Sequence, residues 1–306
     1  MQAFTVLDLE KTPRVARLQE LFDQKYRLAR GLIGRAMESF GPQWATDFEA
    51  VISSLFADDT SLEAALKGYA AFALDSMRRQ KAFERTREYP NMTYSEAAGE
   101  VYFNEAHMMR EYLPGLLLSH FLWTHHYRQL QFFDAAFLAP MALSEHAHFA
   151  EVGVGTAVYS RRILVRLPHA RGAGYDISPS SCAFAVRHLD AAGAGDRFTM
   201  RQQDILAEPL APVPWLVCVE VLEHLEQPVD FLRGLRRGLI PGGKAFITAA
   251  LNAAHADHIY LYRDAEEVWR HLEEAGFRLE QSFVAAAYAP PDPGVPVPLA
   301  AAFVVY

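Results

Sequence analysis

Two different periodicities of apolar residues divide the chain near residue 145. Before that point, apolar residues recur at steps of three and four, as in Val15 to Ala36, which is the pattern of one buried helix face. After it, short apolar runs alternate with amphipathic segments, separated by Gly, Pro and Asp. This alternation is typical of βαβ units in a parallel sheet. We therefore predict an all-helical N-terminal domain, residues 1–145, and an α/β domain, residues 146–306.

Local signals indicate where helices begin and end in the first half. Thr60 with Glu63, and Thr93 with Glu96, have the spacing of capping boxes and predict two helix starts. Pro114-Gly115 predicts a break in the helical pattern after residue 112.

The apolar run that follows, residues 116–137, is rich in aromatic residues and histidines. A core helix is one explanation, because aromatic stripes at helical spacing are usually buried. The other explanation is the wall of a substrate pocket, with His126 and Tyr127 among its polar groups. The sequence leaves both open.

Seven segments of the second half have the apolar character and length of β-strands. They are 147–152, 172–175, 197–202, 215–219, 244–249, 278–287 and 300–306. The last two flank the proline-rich segment 290–298, which indicates a closing hairpin. The predicted fold is an α/β, Rossmann-like, seven-stranded and mostly parallel sheet with an antiparallel terminal strand.

Composition narrows the class of protein. A net charge of −8 gives no electrostatic reason to expect a nucleic acid partner. Only Cys182 and Cys218 are present, too few for a disulfide scaffold, and both lie in apolar runs typical of buried, reduced thiols. No uncharged apolar run is long enough to span a membrane, and charges such as Asp8 and Glu10 occupy the place of a signal core. We expect a cytoplasmic protein without a membrane partner.

The first predicted strand ends in a turn with glycines at positions 153 and 155. Glycines here permit unusual dihedral angles and let a ligand approach the backbone closely. In a dinucleotide-binding fingerprint the third glycine would fall at Val158, so the sequence argues against NAD and FAD. By itself the turn is also compatible with a simple tight β-to-α connection.

Acidic residues follow the next three strands. Asp176 ends the second strand about 20 residues beyond Gly155, where a Rossmann-type site places the acid that binds a ribose diol. Asp204, with Ile205, follows the third strand. The fourth strand leads into Glu220-Val221-Leu222-Glu223-His224. Because the carboxyl ends of parallel strands meet at one edge of a sheet, we expect these groups to line one pocket.

In this order, the segments resemble the motifs of class I S-adenosylmethionine (SAM)-dependent methyltransferases, especially ubiquinone-type and related small-molecule enzymes. The resemblance covers residues 147–306, with Ala157 in place of the last glycine of the first motif. It implies SAM as the cofactor and S-adenosyl-L-homocysteine (SAH) as the product. The cofactor-binding residues that it implies are Glu151, Gly153, Gly155, Asp176, Ile177, Asp204, Ile205 and Glu220.

The resemblance also implies transfer of a methyl group to an O, N or C atom of a small molecule. By analogy, the acceptor belongs to bacterial natural product biosynthesis, and the helical half is a lid or acceptor-binding domain. His224 has a suitable ordinary pKa for a general base, and Glu223 suits orientation of that ring or binding of an amine. Bracing of the loop is the alternative role for this pair. His258 and Tyr260 are expected to line the acceptor pocket.

Three further alternatives stay open. Glu220, Glu223 and His224 resemble the magnesium-binding arrangement of plant small-RNA 2'-O-methyltransferases, with His255 or His258 as the completing ligand. Magnesium is not favoured, because hard divalent ions prefer oxygen to imidazole. SAM-dependent aminocarboxypropyl transfer and a non-catalytic SAM-binding regulator are the other two. The sequence does not fix the oligomeric state, and a homodimer is compatible with it.

Overall fold

The computed structural model describes residues 11–290, 292 and 294–306. Asp8 and Glu10 of the N-terminal segment, and Pro291 and Pro293 of the predicted hairpin loop, lie outside these residues. Within the described part, every regular element before His148 is helical. The α-helices there are α1 Pro13–Lys25, α2 Leu32–Phe40, α3 Pro42–Leu55, α4 Asp59–Thr86, α5 Tyr94–Glu100, α6 Glu105–His107, α7 Leu113–Leu122, α8 Thr124–Phe133 and α9 Ala139–Ala142.

The prediction of one apolar helix face from Val15 to Ala36 is wrong in one respect. A 3₁₀ turn, Arg27–Ala29, and Gly31 in the left-handed region (φ 71°) separate α1 from α2. Glycine adopts this conformation without the steric cost that other residues bear. The apolar residues of both helices still contact one core, so the spacing of buried positions survives the interruption.

Of the two predicted capping boxes, the first is wrong and the second is confirmed. Asp58, not Thr60, caps α4, and its side chain accepts a hydrogen bond from the backbone N–H of Ser61 at 2.8 Å. At the start of α5, Thr93 and Glu96 form the reciprocal pair of bonds that defines a capping box.

The predicted break at Pro114-Gly115 is also wrong. The chain passes from α6 through a π-helical turn, Met108–Tyr112, directly into α7. Gly115 serves the packing of α7 on α4, since a Cβ atom at this position would lie 2.4 Å from the Cβ of Phe72. The interruption comes later, at Trp123, which is extended between α7 and α8 (φ −98°, ψ 122°).

The second half forms one seven-stranded sheet in the order β3-β2-β1-β4-β5-β7-β6. Its strands are β1 His148–Val152, β2 Arg171–Asp176, β3 Phe198–Gln202, β4 Val213–Cys218, β5 Leu239–Leu251, β6 Leu279–Ala286 and β7 Leu299–Val305. Strands β1 to β5 are parallel, and β7 runs antiparallel to both of its neighbours. All seven predicted strands and the predicted fold class are confirmed.

Side chains of the strands alternate between two cores, as expected for a sheet covered on both faces. Two helices, α12 Pro228–Arg237 and α13 Ala265–Glu274, cover the face that carries Ile247. The other face is covered by α10 Val158–Arg166 and α11 Pro179–Ala191 together with α8 and α9 of the helical half. There Phe246 packs on Phe133 of α8, with ring centroids 4.9 Å apart. The helical half and the sheet therefore share a core, and the division at residue 145 stays a prediction.

None of the helices in the described residues combines the length and the apolar character that crossing a bilayer requires.

Candidate active site

A cavity of about 1320 Å³ lies at the carboxyl ends of β1, β2 and β4, next to α4, α7 and α8. This is the edge of an open parallel sheet at which ligands generally bind. The cavity exceeds the range of roughly 300–1,000 Å³ that is typical of a site for one small molecule. It has room for a cofactor and an acceptor together.

The glycine turn after β1 forms part of the cavity wall. Gly153 (φ 70°) and Gly155 (φ 51°) are both in the left-handed region. A Cβ atom on Gly153 would lie 2.3 Å from Cγ2 of Val221, so no larger residue fits without displacing that side chain. The turn therefore presents a wall of bare backbone to the cavity.

Asp176 is fixed at the end of β2 by bonds to both of its carboxylate oxygens. Oδ2 accepts from the backbone N–H of Gly155 and Oδ1 from that of Ser178, each at 2.9 Å. Burial raises the pKa of Asp176, and these two hydrogen bonds oppose the rise. The carboxylate lines the cavity in one defined orientation, beside the glycine turn.

The other predicted cofactor residues line the same cavity. They are Glu151, Ile177, Asp204, Ile205 and Glu220. Asp204 accepts a hydrogen bond from the backbone N–H of Leu206 at 2.9 Å, which makes a short turn after β3. The sequence motifs thus come together on one wall, although they are separated by up to 69 residues along the chain.

Glu151 also contributes to the packing of the fold, through hydrogen bonds to α10. Its carboxyl group is buried and accepts hydrogen bonds from the backbone N–H of Ser160, at 2.9 Å, and from the hydroxyl of the same residue. Burial raises the pKa of Glu151 to about 8, against the effect of Ser160. Glu151 therefore joins β1 to α10 in a largely protonated form at neutral pH.

Glu220 follows β4 in a strained backbone conformation, with φ at 51°. The hydroxyl of Thr248 accepts from the backbone N–H of Glu220 at 2.9 Å and donates to its carboxylate at 2.6 Å. Burial also raises the pKa of this carboxyl group. Left-handed conformations of residues other than glycine cluster at functional sites, where the surrounding structure maintains them.

Glu223 lies in a 3₁₀ turn, Leu222–His224, and its side chain is completely buried. Neither carboxyl oxygen makes a well-formed hydrogen bond with the described residues, although the backbone N–H groups of Glu223 and Ala250 lie close enough to act on its pKa. Burial and the negative charge of Glu220 raise the pKa of Glu223 well above its usual range. A buried polar group without a partner is costly, so Glu223 is a candidate for direct contact with a ligand.

The orientation of His224 can be derived from its neighbour. Its Nδ1 lies 3.0 Å from the backbone carbonyl oxygen of Asp257. Since a carbonyl oxygen only accepts, Nδ1 must donate, and in the neutral ring Nε2 is then unprotonated. Nε2 lies 4.0 Å from Oε1 of Glu223. His224 therefore offers a lone pair, not a proton, to the cavity that it lines.

Three of the residues considered for a metal ion meet in the structure. One ligand atom from each of Glu223, His224 and His258 lies within 4.8 Å of the others, a group that could hold an ion. His258 directs Nδ1 to the carbonyl oxygen of Ala253 at 2.7 Å, which leaves its Nε2 available. Glu220 and His255 do not belong to this group within the described residues.

The helical half supplies a wall of aromatic rings and neutral imidazoles. Trp123 stacks on Phe72 and on His125, with centroids 5.7 and 5.8 Å apart, and it also packs on His126. Burial lowers the pKa of His120 to about 4 and that of His125 to about 3. Their Nδ1 atoms have no partner among the described residues. The lysines and arginine that the cavity lining includes are exposed, so this wall offers no buried cation to an anionic ligand.

Two residues predicted for the acceptor pocket do not line the cavity, whereas His126 and His258 do. The hydroxyl of Tyr127 donates to Asp47 at 3.3 Å, because successive residues of a helix point in different directions. The hydroxyl of Tyr260 donates to Glu267 of α13 at 3.2 Å.

Three residues next to the site were missed. Asp257 lies behind His224 and accepts hydrogen bonds from Tyr102 and Tyr112, which themselves line the cavity. No periodicity marks Asp257 in its loop, and its partners are 145 and 155 residues away in sequence.

Comparison with known proteins bears on this site. Residues 150–245 match a family model described as a methyltransferase domain. The ubiquinone biosynthesis O-methyltransferase of Xanthomonas oryzae pv. oryzae is 30% identical over 127 residues, 41% of this chain and 52% of the relative. The chain thus spans about half the length of the curated relatives that it matches.

A solved structure extends the likeness to the fold. Human N-acetylserotonin methyltransferase, determined in complex with SAM, superimposes with a TM-score of 0.56 at 14% identity. The match covers 78% of this chain and 69% of the human chain.

Proposed function

We propose that this chain, which contains a class I SAM-dependent methyltransferase domain, transfers the methyl group of SAM to an uncharged small molecule. One observation carries the proposal: the eight motif residues line a single cavity that also contains His224 and the unpartnered carboxyl group of Glu223. The family-model match supports SAM as the cofactor, with SAH as the product.

The wall at the carboxyl ends of the strands suits an adenosyl group. The two oxygens of Asp176 would accept from the two hydroxyls of a ribose, and Asp204 from an adenine amine beside Ile205. Glu220 would lie next to the methionine part. When bound, SAM supplies an electrophilic methyl group. Tight positioning of the two reactants accounts for most of the catalysis expected in such a site.

The acceptor would bind between this wall and the helical half. Its attacking atom loses a proton to Nε2 of His224, which the carbonyl oxygen of Asp257 keeps unprotonated. Oxygen is the acceptor atom that we favour, because a base is needed for a hydroxyl group and the curated relatives are named O-methyltransferases. The neutral imidazoles offer hydrogen bonds to an uncharged molecule. We propose a cytoplasmic role in bacterial secondary metabolism, by analogy with other methyltransferases that carry helical additions.

Calorimetry with SAM and SAH tests the cofactor assignment. We expect micromolar binding of SAH. Absence of affinity for both compounds in well-folded protein would remove the proposal. The mass of the product then separates two reactions: methyl transfer leaves SAH, whereas aminocarboxypropyl transfer leaves methylthioadenosine.

Substitution tests the two catalytic candidates. His224→Ala and Glu223→Ala should each lower turnover of a hydroxylated aromatic acceptor such as catechol by about 100-fold or more, while SAH binding persists. His169→Ala, at an exposed position outside the cavity, is the control. Unchanged rates in both cavity variants would remove their catalytic role and favour a SAM-binding regulator.

A metal-assisted reaction is the second candidate, because Glu223, His224 and His258 fit a cation. These three residues would hold the ion through one carboxylate oxygen and two Nε2 atoms. The ion would supply a positive charge that makes an acceptor hydroxyl more acidic. Recovery of activity with Mg²⁺ after chelation, together with calorimetric binding of Mg²⁺ that Glu223→Gln abolishes, would support this version. Indifference to chelator would eliminate it.

A further inference from the structure

Asp257 lies behind His224 and does not line the cavity. Its backbone carbonyl oxygen accepts the bond from Nδ1 of His224 described above, and its carboxylate Oδ2 is 3.5 Å from the same nitrogen. The side chain is almost completely buried. One residue therefore surrounds the protonated side of the His224 ring with two acceptors.

The carboxylate of Asp257 is held by the helical half. Tyr102, just after α5, and Tyr112, in the π-helical turn, donate their hydroxyls to the same Oδ2 atom at 2.9 and 2.8 Å. The ring of Tyr102 also packs edge-on against the His224 ring, with centroids 6.0 Å apart. Burial and the charge of Asp257 raise the pKa of both phenols well above their usual range, so both remain donors.

A buried carboxylate at position 257 costs more free energy than a purely structural role would require. Oδ1 is buried and has no hydrogen-bond partner among the described residues. The other oxygen, Oδ2, makes all of the contacts of this carboxylate described above, to Tyr102, Tyr112 and His224. A buried anion with one unsatisfied oxygen would be replaced at little cost by an amide or an apolar residue if it only filled space.

We propose that Asp257 is a positioning residue, which Tyr102 and Tyr112 fix so that it holds His224 with Nε2 unprotonated and facing the cavity. The arrangement serves the reaction in either version of the proposed function, since Nε2 is free both to accept a proton and to bind a cation. Its chemical purpose rests on the proposed function. The tautomer itself can be measured without any acceptor.

The test is ¹⁵N NMR of protein labelled in its histidine side chains, at about pH 8.5, roughly two units above the ordinary pKa of histidine. The resonances of His224 are assigned by their loss in His224→Gln. We expect the wild-type ring to carry its proton on Nδ1. In Asp257→Ala, and in the double variant Tyr102→Phe/Tyr112→Phe, the population of this tautomer relative to the other should fall by about tenfold.

A matched control separates positioning from simple anchoring of the loop. Tyr89 also donates its hydroxyl to this loop, to the carbonyl oxygen of Ala253 at 2.5 Å, but not to Asp257. Tyr89→Phe should leave the His224 tautomer unchanged. A proton on Nε2 in the wild type, an unchanged ratio in both Asp257 and tyrosine variants, or an equal loss in Tyr89→Phe would each overturn the proposal.

The same samples keep this proposal distinct from the proposed function. SAH binding, measured by calorimetry, should be equal within about twofold in Asp257→Ala, whose side chain does not line the cavity, and this measurement also reports correct folding. If the wild type shows the expected tautomer but no affinity for SAH, the methyltransferase proposal fails while the role of Asp257 in orienting the ring stands. If Asp257→Ala does not fold, the single variants Tyr102→Phe and Tyr112→Phe, tested for the same loss, decide the question.

Discussion

The two ends of the cavity are built in different ways. At the sheet edge, turns and carboxylates that follow β1 to β4 hold the site, and their own backbone fixes them, as Gly155 and Ser178 fix Asp176. At the helical end, side chains from α4, α7, α8 and the loop after β5 meet through packing and through hydrogen bonds between segments that are distant in sequence, such as the bond from Gln80 to the carbonyl oxygen of Asn252. One end is therefore determined by local chain geometry, and the other by contacts between distant segments. Four predictions test how far this difference extends.

The largest effect on stability is expected at the ion pairs between α10 and the helical half. Arg162 of α10 donates to both carboxylate oxygens of Asp134 and to Asp47, and all three side chains are largely buried. Arg162→Leu leaves two acids without their main partner, so we expect a loss of about 3–5 kcal/mol in the free energy of unfolding. Urea denaturation measures it. Arg166→Leu is the control, because Arg166 contacts the same acids but is 38% exposed; its cost should be about 1 kcal/mol or less.

The second prediction compares how much each end of the cavity contributes to the binding of SAH. Asp176→Ala should weaken SAH binding by about 100-fold, since charge-assisted hydrogen bonds to two hydroxyls are lost. His126→Phe, at the helical end, should change it by no more than about twofold. Calorimetry with SAH measures both. An equal loss in the two variants would mean that the cofactor extends into the helical end and that the comparison is wrong.

A third, smaller effect concerns the bare backbone of the turn. Gly153→Ala should lower the free energy of unfolding by about 2–3 kcal/mol. One part of this loss comes from the positive φ and the other from the close contact with Val221. Gly193 has a similar φ, 66°, with no atom within 4 Å of an added Cβ, so Gly193→Ala isolates the backbone contribution, about 1 kcal/mol. Equal melting temperatures for the two variants would show that the close approach to Val221 is unimportant.

The fourth effect is a slope with pH, and it is the smallest effect only for a single step of one pH unit. The pKa of Glu151 is about 8 in the folded protein and near its ordinary value of 4.5 in the unfolded chain. The folded state thus holds a proton that the unfolded state releases, and this stabilisation is complete below pH 4.5 and lost as the pH rises through 8. Glu151→Gln lacks this dependence. Its stability relative to the wild type should rise between pH 5 and 8, by about 1.4 kcal/mol per pH unit at most, in urea titrations.

The sequence predicted the sheet-edge end of the cavity far better than the helical end. Each strand has its own apolar run, and parallel strands bring their carboxyl ends together, so Gly153, Asp176 and Asp204 needed no tertiary information. At the helical end, His126 was identified but its neighbour Tyr127 points to Asp47 instead. The choice between them depends on how α8 rotates against the sheet, which periodicity does not fix.

The same reason explains the errors in the first half. The spacing of apolar residues from 15 to 36 identifies a buried face, but the turn at Gly31 depends on how α1 and α2 each pack on α3. Pro114 is compatible with the first turn of a helix, so its presence did not require a break. Asp257 carried no signal because its partners, Tyr102 and Tyr112, reach it only in the folded chain.

The contact of Phe246 with Phe133 limits the ways in which a ligand can enter and leave the cavity. A rigid outward swing of the helical half would expose these rings to water, at a cost that grows with every aromatic pair separated. Fraying of a short segment is cheaper. The brief helix α5 begins at Tyr94, and Tyr102 lies between α5 and the brief helix α6; both tyrosines line the cavity. We therefore expect a ligand of this cavity to leave through local loosening near residues 94–107, with the remaining helices staying in place.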